Sequence, residues 1–513
     1  MRVPLSVADF IERAAFVYPD RLALVDEPGL PHSLPDLTYG EVARRARTMA
    51  ATLDGMGVGH GERIALVSPN AAKFVVSFFG VSAFGRILVP INFRLNTDEV
   101  AYIVDHSGAS VLLVDPELDS ALAGVTAKHR MVLDGTEDAE LFADTAAEPA
   151  AWEPDEDATA SINYTSGTTA RPKGVQITHR NAWLNAATFG WHTGVSDRDV
   201  YLHTLPMFHC NGWGMPYALT AMGARHVVLR KVDGEDILRR VDAHGVTLLC
   251  GAPAVVAAIL DAAAARRERG EAVPGRGQVR MVVAGAPPPS KVIERVESEL
   301  GWEFVQIYGL TETAPLLTIN RAPVEYDGLD PAERARRLSR AGTPAVGVRI
   351  EVDGEGEVLA RSNHVFEGYW EQPEDTAKAI VDGWFHTGDG AYLDGPYVVI
   401  ADRKKDVIIS GGENVSSIEV EDCLYQHPAV AEVAVIGVPD EKWGETVKAL
   451  VVLRAGEEAD EAALIDFTRG RLAHFKCPTT VEVRDSLPRT ATGKLQKFKL
   501  RQPYWEGHDR KVN

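Results

Sequence analysis

The run Tyr164-Thr165-Ser166-Gly167-Thr168-Thr169-Ala170-Arg171-Pro172-Lys173-Gly174 carries the strongest chemical signal in the chain. Small hydroxyl residues beside glycine leave backbone N–H groups free to wrap a polyphosphate, and Lys173 adds a mobile positive charge. The run is not a Walker A loop, because counting from Gly167 the second glycine would fall where Pro172 stands. A bare Ser/Thr/Gly loop is most often only a turn; the Pro172-Lys173-Gly174 tail argues against that plainer reading. A second run is Tyr308-Gly309-Leu310-Thr311-Glu312-Thr313. Tyr308 can lay its ring over a flat base, Gly309 can let a ligand approach the backbone, and Glu312 is a hard oxygen ligand suited to Mg²⁺ bridging phosphates. Alone, this run reads equally well as a buried tyrosine beside a helix-capping Thr and Glu.

Both runs follow stretches that look like strands. β-rich runs are expected at 160–164, 200–205, 225–229, 246–250, 279–284 and 303–308, with helical spacing at 234–244 and 254–269. Ser290 is placed to cap a helix over 291–300, and Thr178 to cap one after the phosphate run. Strands alternating with helices imply α/β layers with helices on largely parallel sheets. Four strands run into Gly/Pro loops at 165–167, 251–253, 285–287 and 309–311; ligands in such sheets sit at the carboxyl ends of strands, so these loops are expected to converge. Past about residue 400 strands are expected near 430–438, 447–453 and 481–484, with a helix at 461–472, the size of an independent α+β domain. The acid- and alanine-rich stretch 138–157 and the arginine-rich stretch 328–340 read as surface excursions, the second a mobile one.

The chain has 513 residues, 45% of them hydrophobic, too many for one core. With 53 basic and 73 acidic residues its net charge is −20, which disfavours general binding to nucleic acid or to an anionic membrane. Cys210, Cys250, Cys423 and Cys477 lie far apart with no metal or redox spacing, as expected of a reducing compartment, and cytoplasmic residence is the expectation. The opening Met1-Arg2-Val3-Pro4-Leu5 leads to Asp9 and Glu12 without a long apolar run, so neither a signal peptide nor stable membrane insertion is expected.

Taken together, the two runs resemble the adenylate-forming superfamily, and within it the acyl-CoA synthetases, the AMP-dependent carboxylic acid–CoA ligases. The resemblance continues in order: Gly285-Ala286-Pro287, the adenine-flanking loop; Trp384-Phe385-His386-Thr387-Gly388-Asp389; Asp402-Arg403-Lys404-Lys405-Asp406 with Ser410-Gly411-Gly412-Glu413-Asn414; and Pro488-Arg489-Thr490-Ala491-Thr492-Gly493-Lys494. It implies a large multi-layer α/β domain over 1–402, a hinge at 403–406 turning on Lys405, and a small mobile α+β domain over 407–513. It implies ATP, Mg²⁺ and coenzyme A: a carboxylic acid, a short- or medium-chain fatty acid or an aromatic one, becomes an acyl-adenylate with release of pyrophosphate, then a thioester.

The resemblance also distributes roles. Thr165, Ser166, Gly167, Thr168, Thr169 and Lys173 would hold the β- and γ-phosphates; Glu312, helped by Thr165, the Mg²⁺; Gly285, Ala286, Pro287, Tyr308, Gly309 and Thr311 the rest of the nucleotide; and Asp389 and Arg403 the ribose. Lys494 would bridge acyl carboxylate and α-phosphate, and Ser410, Gly411 and Gly412 would line the coenzyme A tunnel. Ala170 departs from the usual glycine, a slight cost if its φ is negative. The acyl pocket falls to His209, Asn211, Trp213 and Gly309, with His209 at a position that moves between the two steps; a lone histidine in an apolar run is more often a packed core residue. Rival readings are transfer of the acyl group to a carrier-protein thiol or another nucleophile, and a nucleotide-binding relative without turnover. The acid and the assembly, a homodimer included, stay open.

Overall fold

The computed structural model describes residues 1–165, 171–285, 287–403, 406–410, 413–440, 443–489 and 495–506. Among them the strands form four sheets. The first has nine strands, in the order Thr343–Pro344, Leu316–Arg321, Glu303–Gly309, Arg280–Val283, Leu248–Gly251, Val200–His203, Arg225–Val228, Leu22–Val25, Leu37–Thr38. From Glu303–Gly309 to Leu22–Val25 the neighbours run parallel, because each is returned by a crossing helix such as Gly234–His244 or Pro253–Glu268. The second sheet has seven strands: Gly368–Tyr369, Lys173–Thr178, Thr159–Thr165, Ile87–Ile91, Arg63–Val67, Ala109–Val114 and His129–Val132. Strands such as Ile87–Ile91, apolar throughout, are buried at every residue, as strands covered on both faces must be.

Helix Ala72–Ser82 is likewise buried all round and brings Phe74, Phe78 and Phe79 into the principal core. Its one cation, Lys73, is neutralised by Asp138 at 2.5 Å. The 138–157 stretch is anchored at its start, where Asp138 is buried and Leu141 and Phe142 join the core, while 143–157 lies at the surface as expected. The arginine-rich stretch carries a helix. Asp330 caps helix Pro331–Leu338, which buries Ala335 and Leu338 against the core, while Arg334 pairs with Glu297.

A third sheet joins Arg349–Val352, Glu357–Arg361, Trp384–Asp394 and Ile380–Val381, with Tyr397–Arg403 on its long strand. The fourth contains Glu413–Val415, Ile408–Ser410, Gly444–Leu453 and Val430–Asp440, with Thr480–Val483 beside the third of these. Helices Ser417–Tyr425 and Glu461–Arg469 cover it, the second stopping short of the expected residue 472. The expected cap at Ser290 is not formed. Ser290 begins the helix Ser290–Arg295, and both its N–H and its hydroxyl donate to Asp422 of helix Ser417–Tyr425, at 2.9 and 3.1 Å. Tyr425 packs against the cores of both regions.

Four histidines are buried without charge. His226 is held down to about 3, and His179 and His364 to about 4, all chiefly by burial. Burial and the neighbouring His226, 3.1 Å away, lower His203 as well. His179 Nδ1 accepts the Val7 N–H, a role only the neutral ring can fill. Each imidazole folds neutral, so below about pH 6.5 the unfolded chain binds more protons. Stability is complete above that pH and is lost as pH falls towards the folded values, by about 1.4 kcal/mol per pH unit for each ring. Urea midpoints followed from about pH 7.5 to about pH 5 should therefore drop steeply in the lower half of the range; a flat profile would contradict neutral burial.

Candidate active site

Three buried amides bring the carboxyl ends of the first two sheets together. Asn70, just after Arg63–Val67, donates to the carbonyls of His203, Leu205 and Leu229 and accepts from Met207 N–H. Asn211 donates to Ser161 at 2.7 Å and accepts from Asn163 at 3.1 Å, both on the strand that leads to the phosphate run. Asn185, on helix His179–Thr193, donates to Trp213 O and accepts from Leu316 N–H. That helix is capped by Thr178 as expected, reciprocally with Asn181.

The phosphate run is pinned at both ends. Thr165 faces Lys173 and Tyr164 faces Gly174 in an antiparallel ladder. Ser166, Gly167, Thr168, Thr169 and Ala170 lie outside the described residues. Gly174 must be glycine, since a Cβ there would sit 2.8 Å from Ile162 and 3.2 Å from Trp370. Behind the ladder, Tyr164 shares a 2.8 Å hydrogen bond with His106, and Arg171 stacks over Tyr102.

The stretch 366–370, which the sequence reading passed over, ties this ladder to the second run. Gly368–Tyr369 extends the ladder, Trp370 N–H donates to Gly174 O at 2.7 Å, and Phe366 N–H donates to Glu312 O at 2.7 Å. The Tyr369 hydroxyl donates to Glu312 Oε1 at 3.0 Å, and Lys173 Nζ lies 4.8 Å from the centre of the same ring and 2.8 Å from Asp375 Oδ2. Burial and the Glu312 charge push Tyr369 up, so its hydroxyl keeps the proton it donates. The Lys173 ammonium holds Asp375 below the usual carboxylate range. Nothing in the sequence marks Tyr369 or Asp375, because their meaning lies in what the sheet sets beside them.

Glu312 is not a helix cap; Thr313 closes that turn by accepting from Leu310 N–H. Among the described residues no cluster of three metal-type ligands exists. One carboxylate suits Mg²⁺, which takes most of its ligands from phosphates and water. Gly309 is glycine for a structural reason: a Cβ there would overlap the Pro315 carbonyl oxygen.

Tyr308 donates to Asp389 Oδ2 at 2.8 Å. Asp389 is 7% exposed and faces Arg403 across the third sheet. The Arg403 side chain lies outside the described set, as do Ala286, Lys405, Gly411, Gly412 and Lys494. Gly285, at φ 97°, and Pro287 are exposed on the loop after Arg280–Val283. Thr311 opens the turn Thr311–Thr313, and Ser410 faces Glu413 in a hairpin.

After strand Val200–His203 the chain makes a left-handed turn. Cys210, Asn211, Gly212 and Trp213 have φ of 46°, 52°, 59° and 60°, and Gly214 follows at 75°. Each non-glycine residue there costs about 1–2 kcal/mol, which the amide bonds of Asn211 and Asn185 offset. His209, half-buried, precedes the turn; Trp213 is 4% exposed. Asn211 therefore serves the joint between sheets. A groove of about 360 Å³ lies at the opposite, amino end of the strands, but Arg280 and Arg334 in it are paired with Asp199 and Glu297, so it offers no uncommitted charge of theirs.

The family model for AMP-binding enzymes matches residues 11–370, and that for the AMP-binding enzyme C-terminal domain matches 419–494. The chain is 36% identical to 2-methylpropanoate–CoA ligase of Humulus lupulus, over 97% of this chain and 95% of the relative. It is 38% identical to 4-hydroxybutyrate–CoA ligase 2 of Metallosphaera sedula, over 96% and 93%. Among solved structures, an anthranilate CoA ligase in complex with anthranoyl-AMP superposes with a TM-score of 0.87 at 28% identity, over 98% and 99% of the two chains. ATP-bound MatB from Rhodopseudomonas palustris gives 0.84 at 29%, over 98% and 100%.

Tyr308→Phe removes the hydroxyl that fixes the Asp389 carboxylate. The KM for ATP is expected to rise about tenfold, the scale of one hydrogen bond to a charged group, with an unchanged melting temperature. Steady-state kinetics with a calorimetric melt would check it.

Proposed function

The chain belongs to the AMP-binding enzyme family, and on that premise we propose that it joins a short-chain carboxylic acid to coenzyme A. It is an AMP-forming acid–thiol ligase: ATP activates the acid as acyl-AMP with release of pyrophosphate, and coenzyme A then takes the acyl group. The observation that supports the site assignment best is the meeting of Lys173, on a strand, and Glu312, on a turn far along the chain, at one tyrosine.

Carboxylate and α-phosphate are both anions, so the residues' work is charge neutralisation and alignment. Lys173 offers positive charge to the departing pyrophosphate. Asp389, oriented by Tyr308, accepts from the ribose hydroxyls, and Arg403 donates to the ribose oxygens. Glu312, with Thr165, would hold Mg²⁺, which when bound neutralises phosphate oxygens. Lys494 joins the two reacting anions from a separate region. We assign residues 1–402 to the adenylating domain, 403–406 to the hinge and 407–513 to a mobile domain whose Ser410, Gly411 and Gly412 admit the thiol. Lys494→Ala should slow adenylation by about 10²-fold yet spare thioester formation from supplied acyl-AMP. Equal losses in both half-reactions would remove Lys494 from this role.

The acid is inferred from relatives that act on 2-methylpropanoate, 4-hydroxybutyrate and acetate, and from the bulk of Trp213, an indole buried in the principal core. His209 lies at the mouth of that turn. A cytoplasmic location fits the four buried cysteines, which form no disulfide, and the absence among described residues of a helix long and apolar enough to cross a membrane. The deciding experiment is a panel of acids, acetate through decanoate with benzoate, incubated with ATP, Mg²⁺ and coenzyme A and read by AMP release and by mass of the thioester. Acetate through pentanoate should be turned over best, and Trp213→Ala should move the optimum to longer chains. AMP release without a coenzyme A ester, or no acid-dependent release, would overturn the reading.

A further inference from the structure

Lys173 is not presented to the site as a bare cation. Its Nζ lies 2.8 Å from Asp375 Oδ2 and 4.8 Å from the centre of the Tyr369 ring. Asp375 belongs to helix Pro373–Ala379, whose Thr376 hydroxyl accepts from Tyr369 N–H at 2.9 Å. The carboxylate is thus fastened to the residue over which the ammonium rests. Asp375's other oxygen lies 3.5 Å from Lys378, a side chain 74% exposed and a weak competitor for the charge. Tyr369 cannot relieve Asp375 by donating to it, because its hydroxyl is directed to Glu312.

We propose that Asp375 competes with pyrophosphate for Lys173, and so sets how readily that product leaves. The inference rests on Lys173 as the pyrophosphate cation. An ammonium has one charge and three donors. While Asp375 neutralises it, its pull on a polyanion is weakened; as the polyanion departs, Asp375 takes the charge back, so the ammonium is not left alone over an aromatic face. Tyr369 is the fixed platform for that exchange, with the ring–cation contact common to both arrangements. Lys173 and Asp375 side chains are 28% and 33% exposed, so the effect has the size of a partly solvated ion pair, up to about fivefold in affinity.

The test is calorimetric titration of the full-length protein with magnesium pyrophosphate, without acid or coenzyme A, alongside melting temperatures. Asp375→Asn should tighten binding up to about fivefold with an unchanged melt, and Asp375→Ser should do the same should the amide disturb the helix. In a Lys173→Ala background the Asp375→Asn gain should vanish, since the contested cation is gone. Weaker or unchanged binding in both Asp375 variants would overturn the proposal, as would a gain that persists without Lys173, which would mean simple repulsion of pyrophosphate by the carboxylate. Undiminished pyrophosphate binding by Lys173→Ala alone would instead overturn the parent assignment of Lys173.

Discussion

Buried side-chain amides carry the joint on which the site depends. Asn70, Asn185 and Asn211 each reach from one element to backbone or side chains of another, and each is at most 7% exposed. An amide is suited to this because it offers two donors and an acceptor in one plane. In a buried setting each such bond is costly to lose, about 1–3 kcal/mol for every group left unsatisfied. The two large sheets could pack through apolar faces alone in many relative placements. The amides select the one in which the strand ends at 165, 203 and 309 approach each other.

With that joint in place, irregular backbone becomes affordable near it. The left-handed turn at 210–213 is held by Asn211 and Asn185, and the close approach of Gly309 to the Pro315 carbonyl occurs on the strand next to Leu316, whose N–H Asn185 accepts. The stretch 366–370 then adds a third tie through backbone bonds to Gly174 and Glu312. A phosphate-type cation on a strand and a metal-type carboxylate on a turn, 139 residues apart in sequence numbering, end up on one phenol, the first by its ring and the second at its hydroxyl.

Much of this was legible in the sequence, for a physical reason. The stretches 160–164, 225–229 and 303–308 announced themselves by β-branched and aromatic residues ahead of turn signals, as did Thr178, whose cap needs only local geometry. Glu312 and Lys173 were visible as charges in small-residue loops. What stayed hidden depends on partners distant in sequence. Asp138 and Arg334 looked like solvated surface until Lys73 and Glu297 met them, whereas Arg336 and Arg337 do stay exposed. Ser290 looked like a cap by spacing, but its hydroxyl answers to a carboxylate more than a hundred residues later. Tyr369 and Asp375 have no local signature at all. Gly309 was noticed as a glycine, but its packing reason, the Pro315 carbonyl, has no local signature.

The bond from Ser290 to Asp422 gives the first turn of one region's helix a cap supplied by the other. In the movement proposed for residues 407–513, helix Ser417–Tyr425 would leave and water would serve both Ser290 donors, so the net hold is modest, about 1 kcal/mol or somewhat more. Such a contact acts as a detent and not as a lock: it gives the docked arrangement a shallow resting place that thermal motion can leave and find again.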